Sequence, residues 1–172
     1  MTDKDIKKLI STWKKYEEIY LEEIDGFFLK VFLPIDTIIK MDNLIRVGDY
    51  SFSDFIAHAE FAYLYQNNLQ DQGTIDLEDL GDVRSLAEKL SKESPNKNKE
   101  GYYKVYIPIS DDEFCALYTF LLIEKGHSRE FTMDDLFIQF VEAFENTDMD
   151  KILDLELSAY DEIGEEFEKR KH

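Results

Sequence analysis

Histidine, cysteine and clustered carboxylates are the side chains that could do chemistry in this chain, and they are thinly spread. Histidine occurs at 58, 127 and 172, and cysteine only at 115. Asp54 and His58 stand four residues apart, which puts two legal metal ligands on one helical face. A metal site needs a third ligand; Glu60 points elsewhere on the same helix, and His127 could join only through the fold. Ser128 beside His127 is a loop pair, not a triad. Cys115, between Phe114 and Ala116 in an apolar run, reads as a buried thiol. The carboxylate clusters Asp111-Asp112-Glu113 and Asp76, Glu78 and Asp79 lack the glycine spacing of a calcium loop. The seven glycines form neither GxGxxG nor GxxxxGK, so ATP and dinucleotide chemistry is unsupported. The expectation is a protein with no catalytic residue, no cofactor and no metal.

Charge is the stronger signal. Thirty-eight Asp and Glu against twenty Lys and Arg leave a formal net charge of -18. Between Glu130 and Glu168, fourteen acidic residues face the single Lys151. Asp150 and Asp154, Asp161 and Glu165, and Glu162 and Glu166 are each four apart. On a helix such like-charged pairs lie about 5–6 Å apart and cost a few tenths of a kcal/mol each. Stability alone would intersperse lysines at these places. A row of carboxylates suits a cationic partner, by steering it or by imitating a nucleic-acid backbone. The plainer reading is a solvated acidic face that serves solubility.

Tyr102 and Tyr106 add candidate interface anchors, since tyrosine contributes most when a partner buries it. The interaction candidates are therefore Asp150, Asp154, Asp161, Glu162, Glu165, Glu166, Tyr102 and Tyr106, with Tyr160 as a weaker third tyrosine. The expected function is non-enzymatic. The chain would bind a basic surface of another protein, as a stoichiometric inhibitor, an immunity-type protein or an accessory subunit. One alternative is a nucleic-acid mimic that occupies the basic groove of a DNA- or RNA-binding protein. Another is an enzyme whose carboxylate and histidine site assembles only in three dimensions. Direct binding of nucleic acid is disfavoured, because phosphates would be repelled. The island Lys125-Gly126-His127-Ser128-Arg129 could meet an acidic helix of a neighbouring copy, which leaves a homodimer open.

The elements that must position these groups fit one α+β domain over residues 1–172, predominantly helical, with a strongly acidic helical segment at 130–168. Five or six helices and a two- or three-stranded β element are predicted. Hydrophobic residues make up 44% and aromatics 14%, enough for a sizeable core. No signal peptide or membrane-length apolar run is visible, so a cytoplasmic location without membrane contact is expected.

Ile6, Leu9, Ile10, Trp13, Tyr16, Ile19, Tyr20 and Ile24 predict a long amphipathic helix with a wide buried stripe. Its first half carries Lys4, Lys7, Lys8, Lys14 and Lys15, and its second half Glu17, Glu18, Glu22, Glu23 and Asp25. That order opposes the helix dipole, at a cost of about 1 kcal/mol. Residues 27–33 fit a helix or a buried strand, and 35–52 could hold a short hairpin turning at Gly48-Asp49. Helices are predicted from an N-cap at Ser53 to about 67, and over 82–93. After the loop 94–101, Tyr102 to Pro108 reads as a strand that needs 27–33 or 44–52 as its partner. Ser110 with Glu113 and Thr132 with Asp135 spell capping boxes, and Thr147 is the expected cap of the last helical region.

Overall fold

A computed structural model describes residues 1–159. The helices are α1 (Asp3–Ile24), α2 (Ile35–Gly48), α3 (Phe52–Gln66), α4 (Leu77–Leu80), α5 (Val83–Lys92), α6 (Asp111–His127), α7 (Met133–Glu145) and α8 (149–159). Among the described residues there are thus eight helices, more than the five or six expected. The excess comes from the region 35–52 and from the single turn α4. The class is α+β, as anticipated.

Strands β1 (Phe27–Pro34) and β2 (Tyr102–Ile109) form a two-stranded antiparallel sheet, in register from Phe27 opposite Ile109 to Pro34 opposite Tyr102. Of the two partners open to the second strand, 27–33 is the one used. Period-two alternation divides the pair. Leu29, Val31, Leu33, Val105 and Ile107 are buried on the inner face. Phe28, Lys30, Phe32, Tyr102, Lys104 and Tyr106 share the outer one. Helix α1 packs on β2, α5 and α7 on β1, and α3 chiefly on α7. Phe55, Tyr63, Phe114, Phe137 and Phe140 fill the space between the sheet and these helices.

Local chemistry explains the boundaries. Asp25 takes the left-handed conformation (φ 49°) that ends α1. Gly26 then passes so close to the sheet that a β-carbon there would meet the Ile109 carbonyl oxygen at 2.5 Å. Both predicted capping boxes form, Ser110 with Glu113 and Thr132 with Asp135. The loop 94–101 lies where expected.

Three local expectations are overturned. Residues 35–48 are helical rather than a hairpin arm, and Gly48-Asp49 is the helix end, with Asp49 left-handed at φ 53°. Buried Ile38 and Met41 lie on one face of this helix, a period of three that alternation cannot supply. The cap of α3 is Ser51, whose side chain accepts from the Asp54 N–H; Ser53 instead gives its own N–H to Glu17. Thr147 does not cap α8, because its hydroxyl donates to the Ala143 carbonyl at 2.6 Å and accepts from the Gln66 side chain. Asp148 starts α8, its carbonyl accepting from Ile152.

Candidate functional site

Helix α1 is the organising element. Ile6, Ile10, Trp13 and Glu17 form its buried line, but the inward stripe is narrower than the spacing predicted: Tyr16 is 77% and Ile19 69% exposed. The side of the helix that carries them runs beside the α2–α3 junction. An open groove of about 640 Å³ lies between them, lined by Trp13, Tyr16, Ile19, Tyr20, Ile45 and Tyr50. Trp13 stacks on Phe52 with ring centres 4.9 Å apart and makes the floor. Glu17 is 4% exposed and accepts the backbone N–H of Ser53 at 3.0 Å. That bond ties α1 to the first turn of α3, where the helix dipole favours a carboxylate.

The groove is apolar at its centre, and Glu23 lines it directly. Glu22, three residues after Ile19, and Asp49, beside Tyr50, are exposed at its edge, and Lys15, four residues before Ile19, is exposed there too. The charge order of α1 is divided between two faces. Lys14 lies along the sheet, its ammonium 4.6 Å from the Tyr106 ring centre, with Glu18 one turn further on the same face. Glu23 lines the groove. Part of the dipole conflict is relieved by Arg84, which donates to the Asp25 carbonyl at 2.8 Å just beyond the helix end.

The residues singled out from sequence are scattered by the fold. Asp150 and Asp154 are exposed on α8. Asp161, Glu162, Glu165 and Glu166, with Tyr160, lie outside the described residues. Tyr102 and Tyr106 are half-buried on the outer sheet face, with Lys99 and Lys14 over their rings at 4.8 and 4.6 Å. They are separate from the groove. In the basic island, Arg129 is exposed, while Lys125 is half-buried beside Asp134 in a small cavity.

The pair Asp54 and His58 does not converge. Asp54 is exposed, whereas the His58 Nδ1 meets Glu156 of α8, and its ring lies edge-on to Tyr50 with centres 5.2 Å apart. Among the described residues, no three His, Cys, Asp or Glu side chains gather as metal ligands would. Cys115 is buried and unpaired, as expected; burial first, and then the charges of Asp112, Asp111 and Asp76, push its thiol upward.

Sequence reasoning missed three carboxylates that the fold uses. Asp134, 2% exposed, accepts from the Phe32 N–H at 2.9 Å, the Ser94 hydroxyl at 2.5 Å and the Asn96 amide at 3.0 Å. Glu17 joins two helices as described above. Glu60 is half-buried on α3, and burial, aided by the charge of Glu113, pushes its carboxyl up to about 7. The only sequence signal for any of them was position: Asp134 falls in the first turn after a capping threonine, and Glu17 falls on the apolar stripe of α1.

No helix among the described residues is long and apolar enough to cross a membrane. Compared with known proteins, the chain matches no family model, no curated protein and no solved structure.

Proposed function

We propose that the chain acts by binding another protein, and that the groove beside α1 receives a cationic amphipathic segment of that partner. The observation that carries this reading is the exposure of Tyr16 and Ile19 at a groove that Glu23 lines. Large apolar side chains left open beside a concave apolar floor are a recurrent mark of a recognition surface. The acidic rim selects the sign of the ligand. Lysine or arginine flanking an apolar helical stripe would meet Glu22 and Glu23 while its apolar residues cover Tyr16 and Ile19. Such a protein works by occupancy and needs no catalytic constellation. The acidity of the chain as a whole adds long-range steering, which salt weakens.

A photo-reactive residue at position 19 tests the reading, with the same residue at exposed Asn68 as the control. In lysate of the native host, position 19 should capture one dominant protein through a Lys- or Arg-rich amphipathic segment, and capture should fall between about 0.1 M and 0.5 M salt. A partner that normally holds DNA or RNA would make the chain a mimic. Equal capture from both positions would refute the groove as the working surface.

A further inference from the structure

The outer face of the sheet gathers lysines in a chain that is acidic as a whole. Lys14 lies 5.7 Å from the centre of the Phe28 ring and 4.6 Å from that of Tyr106. Lys99 lies 4.8 Å from Tyr102, and Lys104 5.9 Å from Phe32. In a chain with 38 carboxylates, these three ammonium groups rest on aromatic rings and have no ion-pair partner among the described residues. Lys97 and Lys7 join them at an open cleft of about 640 Å³ beside Tyr102 and Lys104, where Asp3 and Glu100 are the two carboxylates against four lysines. The face thus offers aromatic surface and a local excess of positive charge together.

Helix α8 has the complementary pattern. Ile152 is fully buried and Glu156 meets His58, which fixes its inward side. Asp150, Leu153, Asp154 and Leu157 stand at i, i+3, i+4 and i+7, so they share the opposite side. All four are exposed, Leu153 at 42% and Leu157 at 62%. A stripe of two leucines and two aspartates is open to a partner on a helix anchored from behind. The groove beside α1 suits it less, because Glu22 and Glu23 would repel the aspartates.

We propose that the outer sheet face is the docking site for α8 of a second copy of this chain. Leu153 and Leu157 would cover the rings of Phe28, Tyr102 and Tyr106, and Asp150 and Asp154 would take the ammonium groups of Lys14, Lys99 and Lys104. A two-fold axis would form this contact twice in one dimer. The reading is independent of the groove and its cationic ligand. It replaces the 125–129 island with the sheet face as the basic partner of an acidic helix.

Charge reversal tests it. Both Lys99→Glu/Lys104→Glu and Asp150→Lys/Asp154→Lys change exposed side chains only. By light scattering on a sizing column, the wild type should exceed the 20.3 kDa of one chain at ~0.05 M salt and return to it at ~0.5 M. Each variant alone should run as one chain at low salt. An equimolar mixture of the two should associate again, because one contact is then native and the other reversed in both signs. Matching circular dichroism and unfolding midpoints establish that the variants are folded. A wild type that stays at 20.3 kDa in low salt, or variants that associate unaided, would overturn the proposal. So would a mixture that remains at the mass of one chain. Binding of a single-stranded oligonucleotide to the sheet face, with no self-association, would also overturn it in favour of a polyanion site.

Discussion

Replacing Asp134 by alanine should cost about 3 kcal/mol of stability, and the three bonds to its carboxylate show why. The first comes from the Phe32 N–H in β1, which the sheet leaves without another acceptor on that side. A buried N–H stripped of its acceptor costs ~1–3 kcal/mol. The other two come from Ser94 and Asn96, both half-buried in the loop before β2. Those donors can turn to water, so their loss adds only about 1 kcal/mol in total. Asp134→Asn keeps the shape and one acceptor oxygen, and should cost ~1 kcal/mol. Urea unfolding followed by circular dichroism measures both, with an unchanged slope expected; for a chain of this size ~3 kcal/mol corresponds to a melting point lower by roughly 6–12 °C. Hydrogen exchange should quicken at 94–101 in the alanine variant before it quickens elsewhere. An alanine variant within ~0.5 kcal/mol of wild type would refute the view of Asp134 as the tie between β1, this loop and α7.

Further outcomes follow from the other groups the fold places. The Glu60 carboxyl is raised from 4.5 to about 7, so the folded state holds its proton more tightly than the unfolded one. Its contribution to stability should be full below 4.5, decline as pH rises to about 7 and stay lost above that; Glu60→Gln should raise the unfolding midpoint at pH 8 and flatten that part of the pH profile. Cys115, buried and with its thiol pushed upward, should react with a disulfide reagent only as fast as the chain opens; rapid labelling of the native protein would contradict its placement. His58→Ala removes the contact with Glu156 and should speed hydrogen exchange in α8 while leaving β1 and β2 protected.

Sequence pattern was most legible where one residue type settles a local geometry. Ser110 with Glu113 and Thr132 with Asp135 mark helix starts, because their side chains satisfy backbone donors within four residues. The alternation through Tyr103, Val105 and Ile107 exposed β2 for the same local reason. Residues 35–48 were not legible, since Gly48-Asp49 suits a turn or a helix end equally. What decides is tertiary: Ile38 and Met41 bury one helical face, and Tyr50, just past the helix end, packs against His58 and Phe144. The groove was hidden by a related ambiguity. Tyr16 and Ile19 each follow an apolar residue by three, so a wide stripe takes them into the core. The buried line Ile6, Ile10, Trp13 and Glu17 is narrower, and Ile19 is turned about 120° from Trp13. The acidic bias of 130–168 was plain in the sequence, but the lysine-bearing sheet face was not, because Lys14, Lys99 and Lys104 come from three separate elements.

The groove can be interrogated directly, because Trp13 is the single tryptophan of the chain and forms its floor. The measurement is a titration of Trp13 fluorescence with a synthetic helical peptide of about eighteen residues, in which leucine repeats at helical spacing and lysine fills the other face. A scrambled peptide of the same composition is the control. The account predicts a saturable change with the ordered peptide, a dissociation constant weakened at least ~10-fold by Tyr16→Ser/Ile19→Ser, which is ~1.4 kcal/mol, and a weaker salt dependence in Glu22→Gln/Glu23→Gln. An unchanged Trp13 signal, or equal affinity for ordered and scrambled peptides, would contradict the groove as a receptor for cationic amphipathic segments.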